Sequence, residues 1–286
     1  MSAVGASREV TVAGSRISAG VAVVSLTIAV VVLVAGAGYA LLASLRGERD
    51  GTGRADAVPS SAAATSDGAD APTAGAEAAG SREDALAAAP MTPLPPSAVF
   101  PRPLATTEVG PPIEVPWPGA GTAPDGHPFV TGFPRTPEGA LGQLVAIDEA
   151  ALNRIDLDRV YEVYAWAARP GAVAKAEWEP AKGVAGLIRR LGGADRVGSA
   201  RMAFQVVQGQ VKGSVGPDFV VACVLGVATV STERVGQGGV GDCQRMVWSE
   251  GRWWIGPGAQ PAPAPSAWPG SADAARAGWR VITRAR

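Results

Sequence analysis

From Ile17 to Leu45 the chain reads ISAGVAVVSLTIAVVVLVAGAGYALLASL, without one charged residue. A helix over this run is longer than the roughly 20 residues that cross a bilayer core, so it can span with some tilt. Arg16 and Arg46 close its two ends. The small residues of AGAGYALLAS admit a cleavable signal peptide as the rival reading. The apolar region of a signal peptide is about 7 to 15 residues, and this one is far longer, which favours a retained anchor. A single-pass cell-membrane protein is therefore expected, with lipid contact through residues 17–45.

Flanking charge gives a weak orientation signal. Arg8 and Arg16 precede the span, whereas Arg46, Arg49 and Arg54 follow it beside Glu48 and Asp50. The positive-inside rule gives acidic residues little weight, so it leans against a cytoplasmic amino terminus. The short leader 1–16, the long tether and a pair of cysteines argue the other way, for a cytoplasmic leader and an exported carboxy-terminal domain. Gly36 and Gly38 lack the four-residue spacing of a helix-dimer motif and read as small residues facing lipid.

Residues 46–89 are mostly Ala, Gly, Ser, Thr, Asp and Glu. Such a segment buries too little apolar surface to offset the entropy of ordering it, so a disordered linker is expected. Residues 90–135 become proline-dense, as in PPIEVPWP, and read as an extended, semi-rigid spacer. The same density suits a ligand for a partner's aromatic groove.

The folded domain is expected over 136–286. Thr136 caps a first helix, Pro137 fits its first position, and Glu138 suits the positive end of the dipole. Leu141, Leu144, Val145, Ala151, Leu152 and Ile155 then recur at helical spacing. Asp156 caps a second helix, LDRVYEVYAWAAR, and a third, AKGVAGLIRRLG, starts after Pro180. From Ser199 the period changes to two. ARMAFQVVQGQVKG alternates as a strand, and DFVVACVLGVATVS is apolar on both faces, as in a central strand covered on both sides. TERVGQGGVG reads as a turn. DCQRMVW and RWWIG complete a second hairpin, and SADAARAGW reads as a short helix. The fold class expected is α+β: three helices packed on a curved antiparallel sheet of about four strands.

The capped TPEGAL opening and the terminal MVWSEGRWWI hairpin are similar to the nuclear transport factor 2-like (cystatin-like) superfamily. That resemblance implies a cone-shaped domain over roughly residues 130–286. With the single span and Pro-rich tether, the build resembles the bitopic assembly subunits of conjugation and type IV secretion-type systems. GFPRTPEGAL and AGWRVI also look like membrane proteins of actinobacterial mobile elements. The resemblance implies a non-catalytic scaffold or assembly subunit that oligomerises and contacts other membrane or apparatus subunits. The alternative is a membrane-tethered extracytoplasmic domain that holds a small ligand or acts as an enzyme.

The chemistry available is sparse. The net charge of −1 supplies no basic field, so direct nucleic-acid binding is not expected. The single histidine, His127, argues against a hydrolytic triad or a metal centre, and no cofactor is expected. Cys223 and Cys243 flank the expected turn and suit a disulfide in an oxidising compartment; two separate buried thiols are the alternative. Asp148, Tyr161 and Tyr164 are the candidate ligand-binding residues, because relatives of the cone fold place acids or tyrosines in the cavity. The plainer reading has Asp148 solvating a helix edge and the tyrosines packing with their hydroxyls outward. Arg189 and Arg190 suit the third helix's carboxy terminus, and GQGGVG lacks the helix and Lys-Ser/Thr of a phosphate loop.

A two-residue turn at Glu250-Gly251 pairs Trp248 with Trp253, with Met246 and Ile255 on the same face. Val247 and Trp254 then share the other face. Trp254 is left as the candidate interface residue.

Overall fold

The computed structural model describes residues 82–105, 110–118 and 126–285. The apolar run 17–45 lies outside them, and among the described residues no helix is long and apolar enough to cross a membrane.

A curled sheet of six strands forms the middle of the fold. Residues 82–88 are helical (α1). β1 is Ile113–Pro116, followed by three helices: α2 (Pro137–Leu152), α3 (Leu157–Ala167) and α4 (Glu179–Arg190). A single turn, α5 (Ala194–Val197), leads into β2 (Arg201–Val215), β3 (Phe219–Ser231), β4 (Val235–Ser249) and β5 (Arg252–Ile255). α6 (Ala272–Arg276) and β6 (Arg280–Ala285) end the chain's described part.

The strand order is β1-β6-β2-β3-β4-β5, and β1 runs parallel to β6. This corrects the expected antiparallel sheet of about four strands under three helices. Two strands come from segments that read as irregular. Ile113–Pro116 lies among prolines, which a ladder tolerates at an edge, and β1 is an edge strand. Arg280–Ala285 follows α6 with little apolar alternation and is mostly exposed.

The glycines of GQGGVG do not form a turn; they lie inside β4, and residues 232–234 make the bend. A Cβ on Gly239 would fall 1.7 Å from the Ala267 carbonyl oxygen. Glycine is needed there because the chain around Ala264–Ala267 crosses directly over the strand.

Both faces of the sheet are covered. Val220, Ala222 and Val224 of β3 point to the helices, where they meet Leu141, Leu144, Val160 and Met246. Phe219, Val221, Cys223 and Leu225 point the other way, beneath Ala87, Ala98, Ala267 and Trp279. The doubly apolar run of β3 is thus explained by a third layer, made from the linker's end and the carboxy-terminal segment.

That layer also corrects the tether boundaries. The last residues of the expected linker form α1, and Lys212 Nζ donates to the Ala87 carbonyl at 2.9 Å. Arg245 pairs with Asp84 at 2.7 Å. The expected spacer buries Ala98, Val99, Val115, Phe129 and Phe133. Several of its sparse large side chains dock in the domain, though Leu104 stays exposed, and composition averaged over the segment conceals this.

Local signals set the helix starts. Thr136 Oγ1 accepts from the Gly139 N–H at 3.1 Å, and the Asp156 carboxylate accepts from the Arg159 N–H at 3.1 Å. β5 pairs with β4 in the expected register: Trp248 opposite Trp253, Val247 opposite Trp254. Glu250 and Gly251 both take positive φ, 54° and 77°, as a primed two-residue turn requires.

The sheet's other side opens. β6 touches β2 only through Gln208–Val281 and Gly209–Arg280, then leaves to pair with β1. The exposed ladder donors of β2 are taken by α2. Phe204 N–H donates to Asn153 Oδ1 at 3.0 Å and Val206 N–H to Glu149 Oε1 at 3.1 Å. Side chains thereby blunt an edge that would otherwise pair with another chain.

Candidate functional site

α4 lies across the ends of β2, β3 and β4 and leaves a cleft of about 80 Å³. Its walls are apolar, from Leu152, Val184, Leu187, Met202, Phe204 and Val230, and its polar members include Glu179 and Asp242. Strand alternation places Asp242 here. Counting back from Met246, Gln244 and Asp242 fall on the helix-facing side of β4, opposite Cys243 and Arg245.

Asp242 is 5% exposed, and its Oδ2 accepts from Gln244 Nε2 at 2.8 Å. Its Oδ1 has no partner among the described residues. Burial pushes its pKa up to about 7; the Gln244 hydrogen bond opposes this, the Glu179 charge adds to it, and the Cys243 N–H and Lys182 oppose it.

Asp148 of α2 is fully buried, and neither of its carboxyl oxygens has a partner among the described residues. Burial raises its pKa well above the usual carboxylate range, and the charges of Asp242 and Glu149 raise it further. The two buried carboxyls are thus electrostatically linked, the charge of Asp242 disfavouring ionisation of Asp148.

This corrects the reading of Asp148 as a solvated helix edge. Leu141, Leu144, Val145 and Asp148 lie on one helical stripe. α2 is buried almost all round from Gly139 to Asp148, because Phe133 and Val115 cover the side away from the sheet.

The tyrosines do not join the acids. Tyr164 is buried with its ring 5.0 Å from Trp178, and its hydroxyl donates to the Val173 carbonyl rather than pointing outward. Burial raises its pKa. Tyr161 is half-buried, with Lys175 Nζ 4.8 Å from its ring centroid. Neither lines the cleft. Among the described residues no group of three His, Cys, Asp or Glu side chains is placed to hold a metal ion.

On the sheet's far face Cys223 and Cys243 are directly opposed and joined by a disulfide, with Cα atoms 4.1 Å apart. Met91, from the expected spacer, lies over it with its sulfur 3.5 Å from Cys243 Sγ.

A second cluster surrounds Trp254, at the β5 edge. The Arg252 guanidinium sits 3.2 Å from the Trp254 ring centroid, and Arg169 covers the same ring at 5.6 Å. Trp254 Nε1 donates to the Ser249 carbonyl at 2.9 Å, so the ring is half-buried rather than bare. Arg252 also donates to the Trp166 carbonyl at 2.8 Å and approaches His127 Nε2 at 3.3 Å. Arginine can only donate, so a hydrogen bond here requires His127 Nε2 as the acceptor. Burial first, and then Arg252, lower the His127 pKa.

His127 stacks 4.3 Å from Trp166, which is 39% exposed. The sequence isolates His127 among prolines; the fold sets it against α3.

No protein-family model, no curated protein and no solved structure matches this chain. Nothing positive in the structure marks it as an enzyme or as a non-enzyme.

Proposed function

We propose that this chain is a non-catalytic, single-pass membrane subunit of a conjugative-transfer or secretion-type apparatus. The span at residues 17–45 anchors it, and its exported domain works by oligomerisation and contacts with other subunits. The observation that carries the reading is the ridge at the β5 edge: Trp166 and Trp254 set among Arg169, Arg252 and His127. Tryptophan and arginine dominate the energetics of protein interfaces, and here both are held in fixed geometry at a surface. Pre-ordering by cation–π stacking and by the Arg252–Trp166 hydrogen bond reduces the entropy lost on docking. The disulfide supports export, since such bonds persist in oxidising compartments.

Protease added to intact cells tests the placement. It removes the carboxy-terminal domain while a tag on the leader survives; complete protection of the domain contradicts the reading.

A further inference from the structure

We propose that the cleft under α4 is a binding site for a small organic amine, an ammonium group on an apolar body, with Asp242 as its anchor. The inference is independent of the Trp254 ridge and of the assembly role.

Three observations point to this ligand class. The walls are hydrocarbon, contributed by Val184 and Leu187 of α4, Phe204 of β2 and Val230 of β3. Water there is poorly held, and an apolar body gains by replacing it.

The anchor is a buried carboxyl on the cleft wall. Asp242 lines the cleft, is 5% exposed, and its Oδ1 has no partner among the described residues. A buried acceptor left unmade is costly, and a ligand donor relieves that cost.

The surrounding charge selects a cation. Asp242 and Glu179 line the cleft from β4 and the start of α4, and Asp148 of α2 lies near enough to Asp242 to feel its charge. The cation nearby is engaged: Lys182 pairs with Glu179. Asp242 gives a cationic donor an ion pair as well as a hydrogen bond, a neutral donor gains the hydrogen bond alone, and an anion gains neither.

The test uses the full chain in phosphatidylcholine nanodiscs at pH 8, titrated with benzylamine, benzyl alcohol and benzoate, with empty nanodiscs as the blank. Calorimetry or ligand-observed NMR reads the affinities. Benzylamine should bind saturably, at least tenfold tighter than benzyl alcohol, and benzoate should show no binding. Asp242→Asn should reduce benzylamine to the affinity of the alcohol. Ala228→Phe fills the cleft while keeping both acids and should abolish binding of both. Equal affinity for amine and alcohol, no binding of the amine, or amine binding that survives Ala228→Phe would each overturn the proposal. The amine-to-alcohol ratio is read on the unaltered chain, so it decides even if Asp242→Asn does not fold.

Discussion

Asp242 on β4 and Asp148 on α2 are both buried carboxyls, and burial and then the charge of Asp242 raise the pKa of Asp148. They are far apart in the chain and meet because α2 packs across the middle of the sheet. A carboxyl whose folded pKa is raised binds more protons in the folded than in the unfolded state. Its stabilising contribution is full below about 3.9, the unfolded value, and is lost as pH rises through the folded one. For Asp242 that upper bound is about 7. The midpoint of thermal unfolding should therefore rise as pH is lowered from 8 to 5. Asp242→Asn should flatten that dependence and stabilise the domain at pH 8 by on the order of 2–4 kcal/mol. A midpoint that falls between pH 8 and pH 5 contradicts the assignment.

The disulfide strap predicts a second effect. Cys223 and Cys243 close a loop with a sequence separation of 20. Replacing both with serine should lower stability by about 3 kcal/mol in denaturant titration. A change below about 1 kcal/mol would mean that the Met91 and α1 cover holds the two strands without the bond.

The third layer makes a prediction about boundaries. Phe219, Val221 and Leu225 are covered by Ala87, Ala98 and the carboxy-terminal segment. A chain beginning at Thr136 exposes that face and should aggregate or lose its near-ultraviolet dichroism. A chain beginning at residue 82 should fold cooperatively. Equal behaviour of the two would remove the amino-terminal cover from the core.

The helix caps and the β4–β5 hairpin are legible in the sequence, for definite reasons, whereas the sheet's strand number and mixed order are not. The caps at Thr136 and Asp156 were readable because one hydrogen bond three residues ahead specifies each. The Trp248–Trp253 register followed from a two-residue turn. Asp242 was legible in principle, two and four residues before Gln244 and Met246 on an alternating strand. The glycines around it mimic a turn in the sequence.

β1 and the cover layer were not legible. β1 alternates over only four residues, and the cover rests on single side chains such as Ala98; Val115 docks on α2 and Ala98 beneath the sheet's far face, both distant in the chain. Asp148 failed for a related reason. Helical periodicity separates a buried stripe from a solvated one, but α2 is enclosed on nearly every side.

The adjacent tryptophans of β5 should separate folding from assembly. Trp253 is 1% exposed and donates to the Pro134 carbonyl at 2.7 Å. Trp253→Ala should cost about 3–5 kcal/mol of stability. Trp254→Ala leaves the core intact and should cost about 1 kcal/mol or less, while weakening self-association or subunit capture. Equal losses of stability would make Trp254 a core residue.

The assembly role is tested most directly at Trp166. A photo-crosslinking amino acid in its place, activated in intact cells, should give discrete adducts with a second copy or with membrane subunits of the apparatus. The same group at exposed Val235, at the β3–β4 hairpin, should give none of those bands. No adduct above the Val235 control, with the domain folded and exported, would contradict the proposed function.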